Sequence, residues 1–349
     1  MSTASFVHLH CHTEYSMLDG AAQNKALFAE AERLGMPAVA MTDHGNMFGA
    51  WDFFHVAQNH PVKPIIGIEA YVAPSSRHSR QPEFWAQGKR EAADLEVEGG
   101  KDVAGGGRYT HMTLLARDAA GLRNLFRLSS LASLEGYYMK PRMDQELIAQ
   151  YADGLIGTTG CPSGAVQTRL RLGQYRQALE QAAAYRDIFG PDNYFVELMD
   201  HGVDIEQRVR ADLLRLARDL ELPLLATNDS HYVKSDQADA HDSLLCVGVG
   251  RNKDDPKRFR FSGSGYYLRS ADEMRQLFAE LPQACDASLE IAQRIGPYDE
   301  VFAPVDRMPQ FAVPPGQTQE SWLRVQIERG LALRYGPQPP AQVLERVET

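Results

Sequence analysis

The chain has few cysteines, no long apolar run and no excess of positive charge, and each absence excludes a class of protein. Its 349 residues include four cysteines, too few for the disulfide framework of a secreted protein, which favours a reducing compartment. No apolar stretch reaches the roughly 18 residues of a membrane-spanning helix, and no signal peptide precedes the first predicted strand. We therefore expect a cytoplasmic protein with no membrane partner, in which a thiolate is available as a ligand.

The charge balance bears on nucleic acid as a partner. With 36 basic and 46 acidic residues the net charge is −10, which argues against tight, unaided binding of a polyanion because Lys and Arg dominate phosphate affinity. Bound divalent cations would add positive charge that this count ignores. The composition therefore leaves nucleic acid open as a ligand of a metal-containing site.

Seven short apolar runs predict β-strands, and amphipathic helical patterns lie between most of them. Several runs are almost continuously apolar, as in parallel strands that are covered on both faces. Because candidate ligands follow nearly every run, an α/β barrel is favoured over an open doubly wound sheet, whose site lies at one switch point. The predicted strands cover residues 6–10, 38–42, 63–72, 111–116, 155–159, 194–198 and 223–227.

Two segments interrupt this alternation. Residues 74–108 combine mixed charge with three consecutive glycines, which predicts a mobile surface insertion. Beyond residue 270 the remaining helical patterns are separated by a proline-rich stretch, and no further strand is predicted. We expect a first domain over residues 1–270 and an incomplete α-rich second domain over residues 271–349.

Potential metal ligands occur where the predicted strands end, and such ends meet at one rim of a barrel. His10 and His12 lie on one face of a strand because side chains alternate. Glu69 is a carboxylate in an apolar strand, which is unfavourable unless it is paired or bound to metal. We expect Asp43 to orient a neighbouring histidine. The candidate ligands are His10, His12, Asp19, His44, Glu69, His111, Cys161, Asp229 and His231.

These nine ligands exceed the roughly four that one zinc ion takes. They predict two or three divalent metals, with zinc favoured by the mixture of imidazole, carboxylate and thiolate, and manganese or iron as alternatives at an oxygen-rich position. Such a cluster makes hydroxide from a bound water and holds the oxygens of a phosphoryl group, so it predicts phosphoester hydrolysis.

Basic and aromatic residues alternate in three further segments, which suits the neutralisation of phosphates and the stacking of bases. The first contains Tyr138, Lys140 and Arg142, our candidate nucleic-acid contacts, the second covers residues 257–261 and the third residues 266–269. A solvated loop with anchoring aromatic side chains is the alternative interpretation of each.

Four segments together resemble the motifs of the polymerase and histidinol phosphatase (PHP) domain family: residues 10–16, residues 42–46, the strand that bears His111, and residues 228–231. Longer stretches are similar to the N-terminal region of bacterial, actinobacterial-like DNA polymerase III alpha subunits. The resemblance implies a distorted seven-stranded α/β barrel in which the nine candidates ligate three metals. It also implies a 3′→5′ exonuclease that removes misincorporated nucleotides during DNA replication.

The resemblance further implies a parent protein that is a DNA-directed DNA polymerase, a nucleotidyltransferase whose DNA partner presents a primer 3′ end. Sliding clamp and other replisome subunits would bind through parts beyond this chain. The direction of digestion and the proofreading role rest on the resemblance alone. Two alternatives stay open: a free-standing small-molecule phosphatase of the histidinol phosphatase branch, and a non-catalytic, metal-stabilised scaffold for partner subunits.

The resemblance also predicts that this chain extends no primer, because the polymerase palm carboxylates lie beyond this length in relatives. No Asp-x-Asp pattern occurs here in a suitable strand context, and polymerisation needs paired carboxylates that hold two metals around the triphosphate. A primer-extension assay with all four nucleotides, run beside a longer chain, checks this. Extension that survives rigorous purification would mean that the palm is misplaced.

Overall fold

The computed structural model describes residues 5–85, 107–306 and 308–348 and divides the chain into two compact units. The first unit covers Met1–Phe302 and the second Ala303–Thr349. A mixed seven-stranded sheet and most of the helices belong to the first unit. All nine candidate ligands therefore lie within one compact unit.

The sheet is α/β in character, with parallel pairing except around one strand. Strand order is β1-β2-β3-β5-β6-β7, and β4 pairs with β2 beside this path. β3 runs antiparallel to both β2 and β5, whereas the other pairs are parallel. The strands are β1 Ala38–Met41, β2 Lys63–Val72, β3 Thr110–Ala116, β4 Arg142–Met143, β5 Leu155–Thr158, β6 Tyr194–Leu198 and β7 Leu224–Ala226.

The N-terminal segment fills the place between β1 and the chain that follows β7. Ala40 N–H donates to the His8 carbonyl and Thr42 N–H to the Cys11 carbonyl, while Ser230 bonds the backbone on the other side. Between these two hydrogen bonds the N-terminal segment covers three residues, from His8 to Cys11, whereas the chain of β1 covers two, from Ala40 to Thr42. One extra residue on one of two paired segments is the mark of a β-bulge. The predicted strand over residues 6–10 is therefore wrong as a regular strand, although the segment lies where a barrel strand would.

Helices cover the outside of the sheet, with apolar stripes turned inward. In α7 the stripe of Val209, Leu213 and Leu216 is buried, and the helix ends where Glu221 adopts a left-handed conformation with φ of 54°. The helices of this unit are α1 Asn24–Arg33, α2 Ala50–Ala57, α3 Ala119–Leu134, α4 Gln145–Gln150, α5 Ala165–Arg171, α6 Tyr175–Phe189, α7 Asp204–Leu220, α8 Ala238–Val249, α9 Ala271–Leu277, α10 Pro282–Arg294 and α11 Asp299–Phe302.

Three of the helices after residue 270, α9 to α11, pack into the core of the first unit. Met274, Cys285 and Ile291 are buried, and Ser288 Oγ accepts a hydrogen bond of 3.1 Å from Val7 N–H. The compact unit thus runs to Phe302, and the assignment of residues 271–349 to a polymerase palm or thumb stays a prediction. The second unit holds α12 Gln319–Tyr335 and α13 Ala341–Glu348.

Among the described residues, no helix combines the length and the apolar character needed to cross a membrane. The predicted insertion over residues 74–108 lies mostly outside the described residues, which exclude 86–106. Residues 74–85 of this insertion are described, and Arg77 connects them to the rest of the unit. Its guanidinium lies 3.0 Å from an Asp144 oxygen and 2.8 Å from a Glu135 oxygen.

Arg142 in β4 holds several loops together and does not face solvent. Its side chain is 1% exposed. The guanidinium donates to the carbonyl oxygens of Gly136 (3.0 Å), Arg108 (2.9 Å), Arg77 (3.1 Å) and Ser79 (2.6 Å). Because these carbonyls occupy its donors and burial lowers its pKa, the prediction that Arg142 contacts nucleic acid is wrong.

Arg142→Met is expected to lower the free energy of unfolding by about 3 kcal/mol, because it leaves several buried carbonyls without a donor. Urea denaturation followed by circular dichroism measures the change. The control is Arg176→Met, since Arg176 is 87% exposed and pairs only with Glu180, and it should stay within about 0.5 kcal/mol of wild type. Wild-type stability in Arg142→Met would contradict the structural role.

Candidate metal centre

All nine predicted ligands lie at one rim of the sheet and form a continuous cluster. The N-terminal segment supplies His10, His12 and Asp19, and the loop after β1 supplies His44. Glu69 is in β2 and Cys161 follows β5, while Asp229 and His231 follow β7. His111 is near the start of β3, which reaches the same rim because β3 runs antiparallel to its neighbours.

Glu69 lies at the centre of the cluster and is 1% exposed. Its Oε1 is 3.0 Å from His111 Nδ1 and 3.5 Å from His10 Nε2. Its Oε2 is 2.7 Å from His44 Nδ1 and 3.4 Å from His12 Nε2. Each oxygen therefore faces two imidazoles, so Glu69 could hold metal together with histidines on either side of it.

Asp19 and Asp229 extend the cluster on two sides of Glu69. Asp19 Oδ2 is 3.0 Å from His44 Nε2 and 3.1 Å from His231 Nε2. Asp229 Oδ1 is 3.1 Å from His12 Nε2. The φ angle of Asp229 is 42°, a left-handed conformation that strains a non-glycine residue and is common at functional sites.

The remaining candidate, Cys161, lies at the edge of the cluster. Its Sγ is 3.5 Å from His111 Nδ1 and accepts a hydrogen bond of 3.4 Å from Ser163 N–H. In the loop after β1, Gly45 has a φ of 63°, and a Cβ at this position would lie 2.6 Å from the Tyr71 ring. Only glycine fits this turn, which brings the neighbouring His44 to the rim.

Five ligand atoms in this cluster are buried and make no well-formed hydrogen bond among the described residues, although they lie close to one another as imidazole–carboxylate pairs: His10 Nε2, His12 Nε2, His44 Nδ1, Glu69 Oε2 and Asp229 Oδ1. Buried polar atoms nearly always have a hydrogen-bond partner, so five neighbouring atoms without a well-formed hydrogen bond require an explanation. Divalent cations fit, because imidazole nitrogens and carboxylate oxygens are the atoms that bind them. The donor set therefore suits a metal centre.

The geometry divides the donors into three overlapping groups, within each of which the ligand atoms lie no more than 4.8 Å apart. Overlap through shared residues suits a cluster of ions better than one isolated ion. The groups are His10, His12 and Glu69; His44, Glu69 and His111; and His12, Asp19, His44 and His231.

Asp43 reaches the cluster through a serine hydroxyl. Ser16 Oγ donates to Asp43 Oδ1 at 2.8 Å and lies 2.9 Å from His12 Nδ1. Asp43 also accepts from the backbone N–H and the hydroxyl of Thr13. With Nδ1 hydrogen-bonded to Ser16, the Nε2 atom of His12 points at Glu69 and Asp229.

Glu197 orients His10 in the same way, and the sequence analysis did not single it out. His10 Nδ1 donates to Glu197 Oε1 at 2.7 Å. The glutamate is fully buried and accepts hydrogen bonds from Thr227 (2.7 Å), Thr113 (3.3 Å) and Thr158. The signal was available, because Glu197 is a carboxylate in an apolar strand, as Glu69 is.

Glu197→Gln is expected to lower the metal affinity of the centre by about ten- to a hundredfold, the usual effect of losing a carboxylate that orients a ligating histidine. Competition with a chromogenic chelator measures it. The matched control is Glu180→Gln, since Glu180 is 62% exposed on α6. Equal affinity in the two variants would show that Glu197 does not support the centre.

The carboxylates of the centre stay ionised. Burial would raise the pKa of Glu69, but His111, His44 and His10 hold that pKa well below its ordinary value. Burial also opposes ionisation of Asp19, whose pKa His231 and His44 hold well below the usual range. Both side chains are thus in the form that binds cations.

The histidine and thiol ligands differ in their protonation. Burial, followed by the neighbouring His44 and His231, lowers the pKa of His12 to about 3, so its ring is neutral and able to ligate. Burial together with Glu69 and Asp229 raises the pKa of the Cys161 thiol well above its ordinary value. Ligation by Cys161 therefore requires that the metal displace a proton.

Of the predicted nucleic-acid contacts, Lys140 borders the centre. It is exposed, and its Nζ lies 5.3 Å from the centroid of the Tyr71 ring. The Tyr71 ring in turn lies 5.1 Å from His111 and 5.8 Å from His44. Tyr138 is half-buried. Lys140 thus places a cation beside the cluster, on the side of His111.

The sequence profile of the PHP domain family matches residues 8–201. The chain belongs to the PHP domain family. The match covers seven of the nine candidate ligands and ends before Asp229 and His231, which join the cluster by geometry.

The chain is similar to bacterial DNA polymerase III alpha subunits. It is 56% identical to that of Saccharopolyspora erythraea over 349 residues, which is 100% of this chain and 29% of that protein. The identity is 57% to the subunit of Mycobacterium leprae, over 99% of this chain and 29% of that protein. It is 41% to that of Treponema pallidum, over 96% of this chain and 27% of that protein. This PHP chain thus spans less than a third of these relatives.

Among solved structures, this PHP chain is similar to a proposed metal-dependent phosphoesterase from Bifidobacterium adolescentis. The identity is 18%, the TM-score is 0.38, and the match covers 79% of this chain and 96% of that protein.

Proposed function

We propose that the chain is the metal-dependent 3′→5′ exonuclease domain of a DNA polymerase III alpha subunit, where it removes misincorporated nucleotides. The observation that carries the proposal is the cluster of buried ligand atoms around Glu69, several of which make no well-formed hydrogen bond. It would hold two to three divalent metals, with zinc favoured and manganese or iron as alternatives. The similarity to DNA polymerase III alpha subunits supports DNA as the substrate.

The three overlapping donor groups would hold the metals, with His12, His44 and Glu69 each shared between two groups and Cys161 and Asp229 completing them. When bound, the metals supply a hydroxide at neutral pH and neutralise charge on the phosphoryl oxygens. The chain itself fixes the geometry. Ser16 and Asp43 hold the ring of His12, and Glu197 holds the ring of His10.

The DNA strand would lie across the rim, beside Lys140. The net charge of −10 leaves little general attraction for phosphate, so bound cations would supply much of it. The parent protein would be a polymerase of the cytoplasm, and sliding clamp and other replisome subunits would bind its other parts. These partners are proposed from the relatives.

A primer that is labelled at its 5′ end and annealed to a template tests the proposal. We expect a ladder of products shortened from the 3′ end, with a mismatched terminus digested faster because less energy is needed to unpair it. Release of labelled mononucleotide would show digestion from the 5′ end. Hydrolysis of a small phosphomonoester in place of DNA would favour the phosphatase alternative.

A further inference from the structure

A second feature adjoins the metal centre on the side of Asp19 and His231. It is a cavity of about 510 Å³ between α8 and the segment 258–263, which we call the side cavity. This segment includes most of the second basic-aromatic stretch of the sequence, and the function proposed above makes no use of it. Its volume lies in the range of pockets that hold one small ligand.

The side cavity is joined to the centre through shared contacts. His241, one of its lining residues, has its Nε2 2.7 Å from the Asp19 carbonyl oxygen. Phe261, another lining residue, lies edge-on to the ring of His231 with centroids 4.7 Å apart. The side cavity therefore shares its His241 and Phe261 wall with the Asp19 and His231 side of the centre.

The lining is aromatic on one wall. The rings of Tyr232 and His241 lie 5.1 Å apart, and those of His241 and Phe261 lie 5.2 Å apart. Leu245 adds an apolar surface. A planar, partly apolar group such as a nucleobase matches this wall, because contact between bases and aromatic side chains is favourable for every base.

The charges at the side cavity suit an anionic ligand. Its two acidic residues are already paired: Asp242 accepts two hydrogen bonds of 2.6 Å from Arg258, and Asp239 lies 2.6 Å from Lys253 Nζ. Arg260 also lines the cavity and is exposed. The side cavity thus offers an accessible guanidinium, although the chain as a whole is acidic.

We propose that the side cavity binds the base of the nucleotide next to the scissile phosphate, with Phe261 contacting the base and Arg260 the phosphate. This proposal rests on the function proposed above. It assigns a nucleoside monophosphate as the ligand class and gives the basic-aromatic segment a role. Because the wall offers the base aromatic and apolar contact, it accepts any of the four bases.

Isothermal titration of the metal-loaded chain with deoxyadenosine 5′-monophosphate and with 2-deoxyribose 5-phosphate tests it. Both ligands carry the phosphate, so the ratio of their affinities reports on the base. Wild type should prefer the nucleotide by about tenfold, and Phe261→Ala should lose that preference. The matched control is Phe311→Ala, since Phe311 is 71% exposed in the second unit, and it should keep the preference.

Equal affinities in the wild type, or a preference that survives in Phe261→Ala, would overturn the proposal. Arg260→Gln keeps the test open if Phe261→Ala does not fold, because Arg260 is exposed. This variant should bind both ligands about fivefold more weakly, because a charged hydrogen bond is removed. Wild-type affinities in this variant would also overturn the proposal. Wild-type hydrolysis of bis(4-nitrophenyl) phosphate, which has no base, tests the phosphodiesterase function separately.

Discussion

Asp19→Asn is expected to lower the rate of the proposed DNA hydrolysis by about a thousandfold, and His12→Ala by a similar factor. Asp19 Oδ2 lies 3.0 Å from His44 Nε2 and 3.1 Å from His231 Nε2, so its charge completes one of the donor groups. Loss of a metal removes several kcal/mol of stabilisation of transition-state charge, and about 1.4 kcal/mol corresponds to each tenfold in rate. Release of nucleotide from a labelled primer measures the rate.

The matched control for this loss is Asp187→Asn, which makes the same chemical change at a carboxylate that is 69% exposed on α6. This control should retain the wild-type rate. Circular dichroism should show the fold in all three variants, because each changes a single side chain, two at the rim and one on the surface of α6. An unchanged rate in Asp19→Asn or His12→Ala would indicate a contaminating nuclease or a different active centre.

Removal of the metals is expected to lower the melting temperature by roughly 10 °C. Metal that binds only the folded chain stabilises it by about 4 kcal/mol at a thousand times its dissociation constant, and each kcal/mol shifts the melting temperature of a chain this large by about 2–4 °C. The structural reason is that the ligands come from distant parts of the chain, so their mutual burial depends on the cations. Differential scanning calorimetry before and after dialysis against a chelator measures the shift.

Readdition of zinc or manganese should restore the original melting temperature, which separates metal loss from damage by the chelator. Glu69→Gln should melt near the temperature of the metal-free wild type, with little further change on chelation. A wild-type melting temperature that stays constant after elemental analysis shows the metal to be gone would contradict a centre that stabilises the fold.

Much of the barrel could be predicted from the sequence, because strand period and strand ends are local signals. Six of the seven predicted strands lie within one residue of the observed bounds. The convergence of the ligands follows from the same alternation of strands and helices, since it brings strand ends to one rim. The position of His111 could not be predicted in this way, because His111 lies near the start of its strand. It reaches the same rim because β3 runs antiparallel to β2.

The misses have physical causes. The bulge in the N-terminal segment depends on its register with β1, and β4 is two residues long, too short for any period. Arg142 was assigned to nucleic acid because basic residues near aromatics look alike whether buried or exposed. Its partners are backbone carbonyls in separate loops, which no local pattern encodes.

Glu197 carries the same sequence signal as Glu69. A carboxylate inside an apolar strand identified Glu69, and the same reasoning applies to Glu197 in β6. The two glutamates differ in their partners. Glu197 accepts hydrogen bonds from threonine hydroxyls and from His10, whereas Glu69 faces imidazoles on both oxygens. Threonines at 113, 158 and 227 would have indicated this only once the strands were aligned.

The metal content of the purified chain tests the central claim most directly. Elemental analysis of protein prepared without chelators should find two to three divalent metals per chain, because three donor groups overlap through His12, His44 and Glu69. Glu69→Gln should lose most of this metal, and the surface control Glu180→Gln should retain it. Less than one metal per wild-type chain after gentle purification would contradict the account.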